Sequence, residues 1–304
     1  MNRVWVPFAA CVAGCSTSGQ YLKPYDFEYP PIAYDARIAY GTDSLQHGDL
    51  RLPEGPGPHP VAVVIHGGCW RAWHTYRHVE RLARTLTDAG WATWNLEYRS
   101  VDRPGGGWPG TFFDVGTGTD YLREVAKRYP LDLTRAIAIG HSAGGHLALW
   151  VAGRERVPSG GVLHSDDPLA LAGAISLGGI ADLWSFHEQV RDACGDGVSL
   201  LIGGTPETTP NRYSQGSPAE LLPIGVPQLL VHGVDDRNVP LSHVQGYVDL
   251  ARRRGDDVRL VVIPQAAHFE LMAPWSKAWP RIQAPVFAFL REIETRGKQG
   301  RNPH

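Results

Sequence analysis

From residue 61 onward, short apolar runs alternate with stretches of helical character, and this alternation constrains the fold more than any other feature. The strand-like runs are VAVVIHG (61–67), WATWNLEYR (91–99), AIAIGH (136–141), LAGAISLGG (171–179), PQLLVHG (227–233) and VRLVVIP (258–264). Between them lie RHVERLARTLTDAG (77–90) and LSHVQGYVDLARRRG (241–255), each closed by a glycine suited to a left-handed helix cap. A last helix is expected over 281–297, with Pro285 inside it. Strands that alternate with helices must run mostly parallel, because each crossover helix carries the chain back over the sheet. An α/β fold with helices on both faces follows. Ahead of it, ARIAYGT and HGDLRLPEG read as an antiparallel hairpin. No internal repeat marks a boundary, so residues 36–297 are expected to form one domain, after a lead-in over 16–35 and before a tail over 298–304. Residues 181–225, rich in Gly, Pro and Thr, are expected to form a small cap or an elaborated loop.

A chain of 304 residues, 43% of them hydrophobic, can build a substantial core. Its net charge of −2 supplies no broad basic field, which argues against nucleic-acid binding. The first fifteen residues are of another kind. MNRVWVPFAACVAGC places one arginine before an apolar run from Val4 to Ala13, too short to span a membrane. The four residues VAGC resemble the lipobox of bacterial lipoproteins, which implies cleavage and lipidation at Cys15, membrane anchoring and a cell-envelope location. The alternative is an ordinary cytoplasmic N-terminus. Without that leader, Cys69 and Cys194 are the remaining cysteines, either as one disulfide or as two thiols. No clustered Cys/His pattern suggests a metal site, and no cofactor is expected.

In a parallel sheet, ligands meet the carboxyl ends of the strands. Three strand ends here carry reactive side chains. GHSAG (140–144) sets Ser142 in a tight turn between strand and helix. VDDRNVP (234–240) follows one later strand and brings Asp235 and Asp236; QAAHFELMAP (265–274) follows the next and brings His268. A serine hydroxyl is a poor nucleophile near neutral pH and needs a base beside it, oriented by a carboxylate. Ser142, an aspartate and His268 form such a set, in the chain order Ser…Asp…His. His66, His141, His146 and His232 are rivals for the base; of these, His141 and His232, at or near strand ends, are read as making structural hydrogen bonds, and His146 lies in the helix after the serine.

Acyl transfer also needs backbone N–H groups to stabilise an oxyanion. Ala143, directly after the serine, is one expected donor. Gly68 and Cys69, in the loop HGGCWRAW that follows an earlier strand, are the others. Trp70 and Trp108 sit in loops close to this region and are expected to line a substrate pocket.

Beyond residue 35 the sequence resembles the α/β-hydrolase superfamily. HGGCW, GHSAGGHLA, VHGVDDRNVP and HFEL look like its esterase/kynurenine formamidase (arylformamidase) branch, with an HGG-x-W oxyanion loop. Within that resemblance the D-x-x-V-P pattern selects Asp236 over Asp235. The resemblance implies cofactor-free hydrolysis, through an acyl-enzyme, of a small-molecule carboxylic ester, with a formamide of the N-formylkynurenine type as the alternative.

Overall fold

The computed structural model describes residues 21–189 and 194–299. The leader, Cys15 and the tail expected over 298–304 fall wholly or largely outside the described residues, and so does the short run 190–193.

Eight strands form one sheet in the order β1-β2-β4-β3-β5-β6-β7-β8. The expected hairpin is β1 (Ala36–Ala39) and β2 (His47–Arg51), paired antiparallel, and β2 continues antiparallel onto β4 (Ala92–Leu96). All other pairings are parallel, among β3 (His59–Ile65), β4, β5 (Leu131–His141), β6 (Gly173–Leu177), β7 (Gln228–Gly233) and β8 (Val258–Ile263).

The central strands are apolar at consecutive positions because both faces of the sheet are covered. Successive side chains therefore enter different cores. Val61, Val63 and Ile65 of β3 and Ala136 and Ala138 of β5 join one core. Ala62, Val64, Ile137 and Ile139 join the other. The first core is closed by α2 (Gly110–Asp120), α4 (Ala143–Ala152) and α8 (Leu241–Arg253), through residues such as Phe112, Leu147, Trp150 and Tyr247. The second is closed by α1 (Glu80–Asp88) and α9 (Trp279–Gln299), through Leu82, Leu86, Ile282, Val286 and Phe289. A four-residue helix, α3 (Leu122–Val125), follows α2. Pro285 does not break α9, which runs past both expected ends. Proline removes one intrahelical hydrogen bond, whereas the apolar stripe of α9 anchors it on either side.

The segment 181–225 is helical and is inserted between β6 and β7. It contains α5 (Leu183–Gln189), α6 (Gly197–Ile202), α7 (Pro210–Gly216) and a 3-10 turn, Pro218–Leu221. It packs on α4, where Trp150 Nε1 donates to the Gln215 carbonyl at 2.9 Å. Its start reaches the loop after β3 through a Cys69–Cys194 disulfide, which resolves the cysteine alternatives.

Candidate active site

Ser142 stands between β5 and α4 with φ 57° and ψ −123°. A non-glycine residue in such a conformation costs about 1–3 kcal/mol and persists only where the surroundings enforce it. Here the turn is closed by glycines. A Cβ on Gly140 would lie 2.0 Å from the Gly144 carbonyl oxygen, and one on Gly144 would lie 2.2 Å from that of Ile65. Strand and helix therefore touch backbone to backbone. The Ser142 N–H is taken by the Leu177 carbonyl of β6 at 3.0 Å.

Asp236 follows β7 and His268 follows β8. His268 Nδ1 lies 2.8 Å from Asp236 Oδ2, and both residues are buried. The other carboxylate oxygen, Oδ1, accepts from the N–H groups of Asn238 (2.8 Å) and Val239 (3.0 Å). Burial by itself raises the pKa of Asp236; the neighbouring His268 and the hydrogen bonds to the carboxylate outweigh it and bring the pKa below the usual value. An ionised Asp236 accepts at Oδ2, so Nδ1 of His268 carries its proton and Nε2 is left to act as a base. Asp235 points elsewhere and accepts from the Tyr21 hydroxyl at 2.6 Å. It is Asp236 that meets the histidine. The close approach depends on Gly178, at the end of β6 with φ 55°, where a Cβ would sit 3.2 Å from Asp236 Oδ2. Nothing in the sequence distinguished Gly178 from an ordinary turn glycine.

Ser142 and His268 line one cavity of about 200 Å³ together with Gly68, Cys69, Trp73, His74, His78, His141 and Phe269. Thus four of the six residues expected to carry the chemistry, Ser142, His268, Gly68 and Cys69, line that cavity, and Asp236 joins them through its hydrogen bond to His268. Ala143 begins α4 immediately after Ser142 and is buried.

The tryptophan expectations need correction. Trp70 is fully buried and donates Nε1–H to His146 Nδ1 at 3.1 Å, so it belongs to the core beneath the loop. Trp108 is half-buried against Phe112, under Arg212, and does not line this cavity. Trp73, three residues beyond Trp70, is the tryptophan at the cavity, and it is 62% exposed. The left-handed conformations of Cys69 and Trp70 (φ 53° and 57°) turn the chain so that Trp70 points inward. Sequence spacing in an irregular loop carries no such signal.

The rival histidines are engaged in other contacts. His141 donates Nε2–H to the His268 carbonyl at 3.0 Å, and burial pushes its pKa well below the usual range. His232 bonds the Val239 carbonyl at 3.0 Å. His146 is held to about 4 by burial. His66 pairs with Glu97 at 2.9 Å beneath the loop. Two further histidines were not foreseen. His74 and His78 stack with ring centroids 3.7 Å apart on the cavity wall, and burial lowers both, His74 to about 4. Their i, i+4 spacing in HTYRH was the available signal. The N-terminal stretch 21–29 supplies another unforeseen wall. Pro24 lines the cavity and Phe27 packs on His78, Phe269 and Trp275.

Residues 49–248 match the BD-FAE family, which is more than half of the chain. The chain belongs to the BD-FAE family. Among curated proteins it is 27% identical to esterase LipC of Mycobacterium tuberculosis, over 84% of this chain and 64% of LipC. It is 25% identical to LipM of the same organism, named as a probable carboxylic ester hydrolase, over 90% of this chain and 65% of LipM. This BD-FAE chain thus spans just under two thirds of the length of these two relatives. A truncated carbohydrate esterase from gut microbiota shares the fold with a TM-score of 0.71 at 21% identity, covering 85% of this chain and 95% of that one. Esterase 2 of Thermogutta terrifontis, solved with propionate bound, gives 0.69 at 20%, covering 85% and 94%. The architecture is that of an α/β-hydrolase.

Proposed function

We propose that this BD-FAE member is a serine hydrolase that cleaves a carboxylic ester of a small molecule through an acyl-enzyme. The observation that carries the reading is the 2.8 Å Asp236–His268 pair beside a strained Ser142 in one cavity. Ser142 Oγ attacks the ester carbonyl while His268 Nε2 takes its proton. Asp236, ionised and hydrogen-bonded, keeps the imidazole in the required tautomer and stabilises the imidazolium. The N–H groups of Gly68, Cys69 and Ala143 receive the oxyanion, each worth about 3 to 4 kcal/mol in the transition state. His268 then protonates the departing alcohol, and water repeats the sequence on the acyl-enzyme.

A cavity of about 200 Å³ walled by imidazole and aromatic rings suits a short acyl group. His74, His78 and His141 are kept neutral by burial near pH 7, so they offer no cationic partner for a charged acyl chain. Hydrolysis of an N-formylkynurenine-type formamide would use the same residues. The names carried by LipC and LipM support the ester reading. The disulfide supports the proposal of a cell-envelope location with Cys15 as anchor, because such bonds persist in oxidising compartments; cell fractionation of wild type and Cys15→Ala tests it.

The deciding experiment compares kcat/KM for p-nitrophenyl acetate, longer-chain esters and N-formylkynurenine. We expect acetate to lead, with turnover falling by about 10⁶ in Ser142→Ala. A formamide preference, or ester turnover that survives Ser142→Ala, would overturn the reading.

A further inference from the structure

The loop after β3 lies directly on the serine turn. A Cβ on Gly67 would be 2.6 Å from the His141 carbonyl oxygen and 3.0 Å from Ser142 Cβ. The next three residues, Gly68, Cys69 and Trp70, all have positive φ (105°, 53° and 57°), although two of them are not glycine. Left-handed backbone at non-glycine residues reverts unless it is held. The φ of Cys69 also sets how the peptide plane carrying the Cys69 N–H faces Ser142. Whatever holds this loop therefore controls the aim of its donors.

One tie is local, the Arg71 N–H donating to the Gly68 carbonyl at 2.9 Å across Cys69 and Trp70; the others are distant in sequence. Trp70 is fixed by its bond to His146, and its carbonyl accepts from Val101 N–H at 2.8 Å. Arg71 donates to Asp102 at 3.0 Å and also pairs with Asp196. Cys69 is bonded to Cys194, 125 residues later, with Cα atoms 5.4 Å apart. Asp196 and Cys194 both belong to the insertion between β6 and β7, whose helix α6 begins against the Cys69 carbonyl: a Cβ on Gly197 would lie 3.1 Å from it. Thus the insertion grips the loop at two residues two positions apart, Cys69 covalently and Arg71 by charge.

We propose that Cys194 is a positioning residue for catalysis. Through its disulfide, and with the Arg71–Asp196 ion pair beside it, it holds Gly68 and Cys69 in the left-handed conformation that directs their N–H groups at the oxyanion. The proposal rests on the ester-hydrolase reading. It separates this disulfide from one that only staples the fold, since a staple would change stability and leave the aim of the loop unchanged.

The test compares wild type, Cys194→Ala and Arg71→Ala on p-nitrophenyl acetate, well below each melting temperature, with active sites counted by fluorophosphonate titration. Binding of a trifluoromethyl ketone, whose serine adduct carries an oxyanion, is measured in parallel. Cys194→Ala should lower kcat about tenfold to a hundredfold with KM within about twofold, and should weaken the ketone by a similar factor. Arg71→Ala should move the same quantities in the same direction by about threefold or more. A folded Cys194→Ala that keeps kcat and ketone affinity within about twofold of wild type overturns the proposal, however far its melting temperature falls. A loss confined to KM overturns it as well. If Cys194→Ala does not fold, Arg71→Ala decides by the same criteria. A wild type without Ser142-dependent turnover is a different result, because it removes the ester reading itself.

Discussion

The two halves of the site are built differently. The serine turn is mostly local: Gly140, Ser142 and Gly144 lie within five residues of one strand-helix turn, with Leu177 of β6 and Ile65 of β3 as its outside contacts. The loop after β3 is not. Besides one turn bond from the Arg71 N–H to the Gly68 carbonyl, its left-handed residues are held by His146, Val101, Asp102, Cys194 and Asp196, all far along the chain. A strained serine can thus be encoded largely in one short motif, while the loop proposed to supply its oxyanion donors depends more on the assembled fold. Each of the following measurements would break or sharpen that contrast.

The largest effect is expected where a strand end supplies a catalytic partner. Asp236→Asn should lower kcat by about 10⁴, because an amide no longer fixes the productive tautomer of His268. Asp235→Asn should stay within about twofold, since among the described residues the Asp235 side chain bonds Tyr21 and its N–H the Ala266 carbonyl, not His268. Equal losses in the two variants would dissolve the assignment.

Next comes the packing of the serine turn. Gly140→Ala puts a methyl 2.0 Å from the Gly144 carbonyl oxygen, where only backbone could yield. We expect a loss of about 3 kcal/mol or more in denaturant unfolding, together with lost turnover. Gly246→Ala, in α8 with open space at the same position, should instead gain about 0.5 to 1 kcal/mol. If Gly140→Ala were as mild, the turn would not be held locally at all.

The smallest effect concerns the bond that joins the two halves. Trp70 Nε1 can only donate, so His146 accepts at Nδ1 and gives its Nε2–H to the Gly216 carbonyl at 2.8 Å. That histidine must be neutral, and burial lowers its pKa to about 4. Its folded value lies below the unfolded value of about 6.5. The contribution is therefore complete above that pH and declines as pH falls toward 4, because only the unfolded chain takes up the proton. The expected slope is about 1.4 kcal/mol per pH unit. His146→Gln should show a shallower decline in unfolding free energy between pH 7 and pH 5. Identical slopes would mean that the Trp70–His146 bond does not govern the acid limb.

The legible parts of the sequence follow the same division. Period and alternation give the sheet, because side-chain direction along a strand and around a helix follows from backbone geometry alone. The strand ends then yield Ser142 and His268, and the D-x-x-V-P pattern separates Asp236 from its neighbour. Trp70 was misplaced and Trp73 passed over because side-chain direction in an irregular loop depends on φ values that no pattern reports. Gly178, His74, His78 and Pro24 reach the site from four separate segments, and only folding brings them together.

The sequence by itself determined the α/β architecture and pointed to Ser142, Asp236 and His268 as the proposed nucleophile, carboxylate and base, since these rest on short-range periodicity and on the rule that strand ends share one edge. Only the tertiary structure decided that Cys69 and Cys194 are bonded, that Trp70 is core, and how the loop facing Ser142 is held. Those outcomes depend on contacts between residues up to 125 positions apart, whose geometry is fixed by the packing of every element between them.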